Sequence, residues 1–167
     1  MDVSIKSIVF FGAVVLTGLS AGLFYAWQVS VIPGTKKVMD VNYLETMQSI
    51  NRAILNPAFF LIFFGSLIFL SASSIYEFHT NKWTFGLMLV ATMTYLIGTF
   101  GVTVLGNVPL NNQLDVLKTG EISAQKITAF RQFYETGWNK LHLIRTIFSV
   151  LSFVLAVLAL LIQTKKI

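Results

Sequence analysis

Trp138, His142, Arg145 and Ser149 stand at i, i+4, i+7 and i+11, a spacing that puts all four on one face of a helix. The segment around them is apolar. Arg145 lies roughly 10 Å along the axis from Trp138, at about 1.5 Å per residue. A charge at that depth in lipid is costly, and it is paired, turned inward or functional. The competing reading has Arg145 snorkelling to the headgroups with Trp138 in the interfacial belt. Ser149 continues the polar face beneath Arg145 and favours the inward orientation. His142 alone fits a structural role as well as a ligand-binding one. His79 follows the second apolar run and belongs to the opposite membrane face, which argues against a haem held by two histidines. There is no HExxH or ExxH pair, so a protein-built metal cage is not expected. Glu45 with His142 and amide oxygens is the one thin alternative.

A second polar group is made of amides. The stretch GNVPLNNQ, Gly106 to Gln113, sets Asn107, Asn111 and Asn112 around Pro109 directly after an apolar run. Each amide offers donors and an acceptor without charge. Structurally, they can cap helix ends and satisfy backbone groups that lipid cannot. Functionally, Asn107 and Asn111 opposite an arginine make a pocket for a phenol, quinone or carbonyl ligand. The aromatic side chains of Phe100, Phe130, Phe133, Tyr134 and Trp138 suit a flat apolar molecule. Gln48 and Asn51 interrupt the apolar side of another helix, and buried amides need partners.

The elements that must position these residues are long and apolar. Of 167 residues, 55% are hydrophobic and 11% charged, too little charge for a soluble surface. With no cysteine, disulfides, thiol chemistry, iron–sulfur clusters and cysteine-ligated zinc are excluded. The net charge of +5 comes without a basic cluster, so no nucleic-acid partner is expected; lysines at membrane edges account for it. Four apolar runs each reach the roughly 20 residues needed to cross a bilayer. We place the spans at about 5–32, 57–77, 83–105 and 138–163. The first is too long for a signal-peptide core and is read as retained.

The fold class is therefore all-α: an integral membrane four-helix bundle forming one domain, 1–167, with short amphipathic helices at about 41–55 and 122–135 in the first and third links. Pro33-Gly34 is expected to end the first helix. Asn42-x-x-Glu45 has capping-box spacing. Asn56-Pro57 reads as the start of the second span, Pro109 can open a short helix capped by Asn107, and Gly137 can mark a bend before the last span. Gly18 and Gly22 form a GxxxG, and Ala13, Thr17 and Ala21 a second small ladder. These suit packing within the bundle or a homo-oligomer through the Gly18/Gly22 face. An even number of spans puts both termini on one side. Glu45, Gln48, Asn51, Asn107 and Asn111 then share the other face with the start of the Trp138/His142/Arg145 helix.

With the small-residue helix GLSAGLFYAW, then MQSINRAILNP, GNVPLN and W-x3-H-x2-R-T in this order, the chain resembles the anthrone oxygenase-like family of four-span membrane proteins over nearly its whole length. GNVPLN and the Trp/His/Arg helix are the most specific part. The resemblance implies oxidation of a hydrophobic aromatic or phenolic substrate with O₂ and without a bound cofactor. It implies His142 as the base, with Glu45 as the alternative, and Arg145 with Asn107 and Asn111 around the oxyanion. Asn51, Gln48 and Trp138 would complete the substrate site. It also implies a multi-pass protein of the bacterial cytoplasmic membrane. Two rivals remain: a non-enzymatic carrier of a hydrophobic molecule or lipid, which uses the same pocket without a base, and an assembly protein acting through the small-residue face, in which the polar mouth tolerates change. Charge does not orient the chain. Lys6, Lys82, Lys165 and Lys166 lie close to span ends on one face, whereas the more numerous cations of the other face are spread over longer links.

Overall fold

The structure, a computed structural model, describes residues 4–164; Lys165 and Lys166 lie outside them. Five helices make up the described chain, and no strand occurs among its residues. They are α1 (Ile5–Thr35), α2 (Asp40–Ala53), α3 (Pro57–Glu77), α4 (Lys82–Asp115) and α5 (Ala124–Thr164). All but α2 are long and apolar enough to cross a membrane, and the chain is a multi-pass membrane protein. The four long helices pack in ring order, α1 on α3, α3 on α4, α4 on α5 and α5 on α1.

Glycines set the closeness of these seams. A Cβ on Gly98 of α4 would stand 2.0 Å from the Phe148 ring of α5, and one on Gly12 of α1 would stand 2.5 Å from Phe69 of α3. Gly18 meets Phe153 of α5 in the same way, at 2.9 Å, whereas Gly22 has nothing within 4 Å. The Gly18 half of the proposed oligomer face is thus taken up inside the chain. Phe10, Ala13, Leu70, Met88, Tyr95 and Ala156 fill the lower core. The buried Tyr95 hydroxyl pairs there with Ser20 at 2.8 Å and with the Phe63 carbonyl at 3.2 Å.

α1 ends at Thr35, directly after Pro33-Gly34 as expected, with Pro33 inside its last turn, whereas α4 runs unbroken through Pro109 to Asp115. A proline clashes with the carbonyl four residues earlier. Those carbonyls belong to Val29 and Leu105, which lie in widened turns at Trp27–Val31 and Thr103–Asn107. There the Ile32 and Val108 amides donate five residues back, to Trp27 and Thr103. The wider turn gives the ring room without ending the helix. Asn107 consequently makes no side-chain cap. Gly137 causes no break either: the amphipathic segment expected at 122–135 and the span expected at 138–163 are one 41-residue helix.

α2 folds across the mouth of the ring. Tyr43, Leu44 and Met47 are buried against Leu114, Ile127 and Tyr134. Its capping box does not form. The helix begins at Asp40 with no side-chain cap, and Glu45 instead accepts from the Thr119 hydroxyl at 2.7 Å. Asn56 caps α3, its side chain accepting from the Phe59 amide and donating to the Ala53 carbonyl. The corner between α2 and α3 is therefore tied on both sides.

Candidate functional site

Arg145 is 8% exposed, and its guanidinium lies between two rings, 4.7 Å from the Phe24 centroid and 5.0 Å from that of Trp138. Nε and Nη2 donate to His142 Nδ1 at 3.1 and 2.9 Å, and Nη1 donates to the Thr103 hydroxyl at 3.4 Å. No carboxylate among the described residues pairs with it. A buried guanidinium held only by aromatic faces and neutral acceptors carries an uncompensated charge.

That donation fixes the histidine. A guanidinium only donates, so Nδ1 accepts, and the ring is the neutral tautomer with its proton on Nε2. Nε2 then donates to the Phe24 carbonyl at 3.1 Å. His142 stacks on Trp138, with centroids 5.0 Å apart and planes 6° from parallel. Both ring nitrogens are engaged, which sets the geometry apart from a histidine with a lone pair free for a substrate. Ser149 is buried, and its hydroxyl turns back to the Thr146 carbonyl at 2.8 Å.

The amides form a second layer. Tyr134 is its hub: the hydroxyl accepts from Asn51 Nδ2 at 3.1 Å and donates to Asn111 Oδ1 at 3.1 Å. Asn111 Oδ1 also accepts from the Trp138 indole at 2.9 Å. Asn107 is buried and donates to the Trp138 carbonyl at 3.2 Å, leaving Oδ1 without a partner. The result is a rigid mount for Trp138.

A cavity of about 250 Å³ opens beside these groups. Asn51, Asn111, Trp138, His142 and Arg145 all line it, joined by Phe24, Trp27 and Thr103. Three of the expected site residues do not. Glu45 is exposed on α2, accepts from the Thr119 hydroxyl and does not line the cavity that holds His142. Gln48 donates to the Leu114 and Leu117 carbonyls at 2.8 and 2.9 Å, securing the end of α4. Asn107 lies behind Trp138 rather than in the wall. A larger groove of about 390 Å³, between the start of α2 and α5, is lined by Asp40, Arg131 and Glu135, whose charges are paired with one another.

Sequence reasoning missed Phe24, Trp27 and Thr103. Phe24 and Trp27 stand three apart on α1 and face inward together, a signal masked by the uniform apolarity of that run. Thr103 continues a four-residue ladder with Tyr95, Thr99 and Asn107, all buried. Four residues of an α-helix overshoot a full turn by about 40° at about 100° each, and the widened turns over Tyr95–Gly101 and Thr103–Asn107 absorb that drift.

No curated protein and no solved structure matches the chain. The anthrone oxygenase family profile matches residues 58–155. That stretch holds Thr103, Asn107, Asn111, Trp138, His142 and Arg145 and exceeds half of the chain, which belongs to the anthrone oxygenase family.

Proposed function

We propose that the chain oxidises a flat, hydrophobic, enolisable aromatic with O₂ at the mouth of a four-helix bundle in the bacterial cytoplasmic membrane. The observation that supports this most directly is Arg145, buried at a cavity wall with no carboxylate partner among the described residues. The missing counter-charge is the oxygen of a bound enolate. Aromatic walls from Phe24, Trp27 and Trp138 suit planar rings. The substrate carbonyl takes the Arg145 donors, and His142 Nδ1, released from them, accepts a proton from the CH₂ that is conjugated to this carbonyl through the flanking aromatic rings. The electron-rich carbon adds O₂, and the proton returns to form a hydroperoxide. Loss of water leaves a second carbonyl. Overall R₂CH₂ + O₂ gives R₂C=O + H₂O, with the carbon giving four electrons and the O₂ taking them. Donors aimed at developing negative charge in a dry site contribute about 10²–10³ in rate each.

Oxygen uptake by the purified protein with a simple anthrone tests this. Uptake above the uncatalysed rate should fall by about 10²-fold or more in Arg145→Ala, with Arg145→Lys in between because the point charge stays while the fork is lost. Uptake equal to the uncatalysed rate in the intact protein would remove the oxygenase reading. A carrier of the same class of molecule is the second reading, favoured by the engagement of both His142 nitrogens. It requires binding without uptake.

A further inference from the structure

The α1/α3 seam is tight at its lower end and open at the cavity. Gly12 lies against Phe69, and Gly65 takes Leu16 at 3.0 Å. Four steps up α1 thus correspond to four steps down α3, and the same register brings Leu23 level with Ala58. There the glycine contacts stop. Leu23 is 37% exposed, Ala58 is exposed, and Phe59 is half-buried. Leu23 and Phe59 line the cavity, as does Leu55, which is 64% exposed in the α2–α3 corner. On this α1/α3 side the side chains that face both the cavity and the outside form an apolar rim, whereas the polar lining residues that are exposed, Arg52, Asn112 and Asp115, stand on the other side, at the ends of α2 and α4. α3 spans about 30 Å from Pro57 to Glu77 at about 1.5 Å per residue, the depth of the hydrocarbon layer. The rim therefore sits at the edge of that layer.

The water-facing side is polar instead. Arg52 and Asp115, both on the cavity wall, pair at 2.6 Å across the ends of α2 and α4. Gln48 holds the adjoining turn through two carbonyls.

We infer that the cavity is filled from the bilayer, through the seam between α1 and α3 bounded by Leu23, Leu55, Ala58 and Phe59, and that its ligand is a membrane-dissolved molecule. This rests on reading the cavity as a ligand site. A flat apolar ring system partitions into lipid, so a sideways doorway at the hydrocarbon edge meets it where it is concentrated. The α2–α3 corner is a fixed post, because Asn56 bonds to both helices, and the passing space is between it and Leu23.

The test needs no substrate. Trp83 is 79% exposed at the far end of the ring; in a Trp83→Phe background the remaining indoles, Trp27 and Trp138, both line the cavity. In phosphatidylcholine vesicles whose acyl chains are brominated near the headgroup, lipid quenching of these indoles should at least halve in Ala58→Phe and increase in Leu23→Ala. Acrylamide quenching from water should change little in either. Equal lipid quenching in all three proteins would overturn the doorway. So would acrylamide quenching that exceeds lipid quenching and rises in Arg52→Ala. Because no oxidation is measured, this outcome is independent of the oxygen-uptake result. Where uptake is seen, Ala58→Phe should lower kcat/KM about tenfold with kcat retained, since the chemistry lies deeper than the rim.

Discussion

At the residue scale, the central question is what His142 does when Arg145 already occupies its Nδ1. A base must be freed before it can accept a proton, whereas a residue that only positions Arg145 need not be. His142→Gln separates the two, because the amide oxygen of glutamine can still accept from the guanidinium. If His142 is the base, anthrone binding should stay within about threefold while kcat falls by about 10²-fold or more. Equal kcat in this variant would leave His142 as a positioning residue. Tyr134 offers a cleaner structural case. Its hydroxyl joins Asn51 to Asn111, and Asn111 in turn holds the Trp138 indole. Tyr134→Phe removes one hydrogen bond from each of two half-buried amides, a cost of about 0.5–1.5 kcal/mol per bond. KM should rise more than kcat falls, since Trp138 shapes the cavity and does not react.

At the element scale, the seams depend on glycine. Between α4 and α5, Gly98 has the Phe148 Cβ itself 2.4 Å from where its own Cβ would stand. No rotamer change of Phe148 clears that contact, so the helices must separate. Gly98→Ala should lower stability by about 1–3 kcal/mol, seen as an earlier thermal loss of helicity in detergent, whereas Gly22→Ala, with open space around it, should not. The same scale explains what was legible in the sequence. Hydrophobic length and composition announced four spans, and the i, i+4, i+7 spacing announced a Trp138/His142/Arg145 face. Even topology brought the amides to the same mouth. Helix continuity through Pro109 was not legible, because a proline reads as a break and the compensating widened turn has no compositional signature. Nor was the division of labour among the amides. Asn51, Asn107 and Asn111 look alike as letters, and only three-dimensional pairing with Tyr134 and Trp138 separates cavity wall from mount.

At the scale of the whole molecule, α2 is a lid strapped over a ring of helices. The straps come from several elements at once: Gln48 to the end of α4, Glu45 to Thr119, Asn51 to Tyr134 and Arg52 to Asp115. The largest is Arg131 of α5. It donates to the Thr35, Lys36 and Val38 carbonyls that finish α1, and to Asp40 at the start of α2. One side chain therefore secures the connection between the first span and the lid. Asp40 responds in kind: the Thr128 hydroxyl first and Arg131 second hold its carboxyl below the ordinary value of 3.8. A carboxyl lowered by folding contributes fully above its unfolded value, and the contribution is lost as pH falls through the folded one. Amide exchange over residues 36–53, corrected for intrinsic rates, should thus be flat from neutral pH down to about 4 and accelerate below it, while the lower halves of α3 and α4 stay protected. Asp40→Asn should show faster exchange in that segment at neutral pH and no added acid sensitivity. If the variant and the intact protein respond to acid alike, the lid is held by its apolar face on Leu114, Ile127 and Tyr134 and not by the Asp40 strap. That result would direct engineering of lid opening to Tyr43, Leu44 and Met47, whose burial supplies that face.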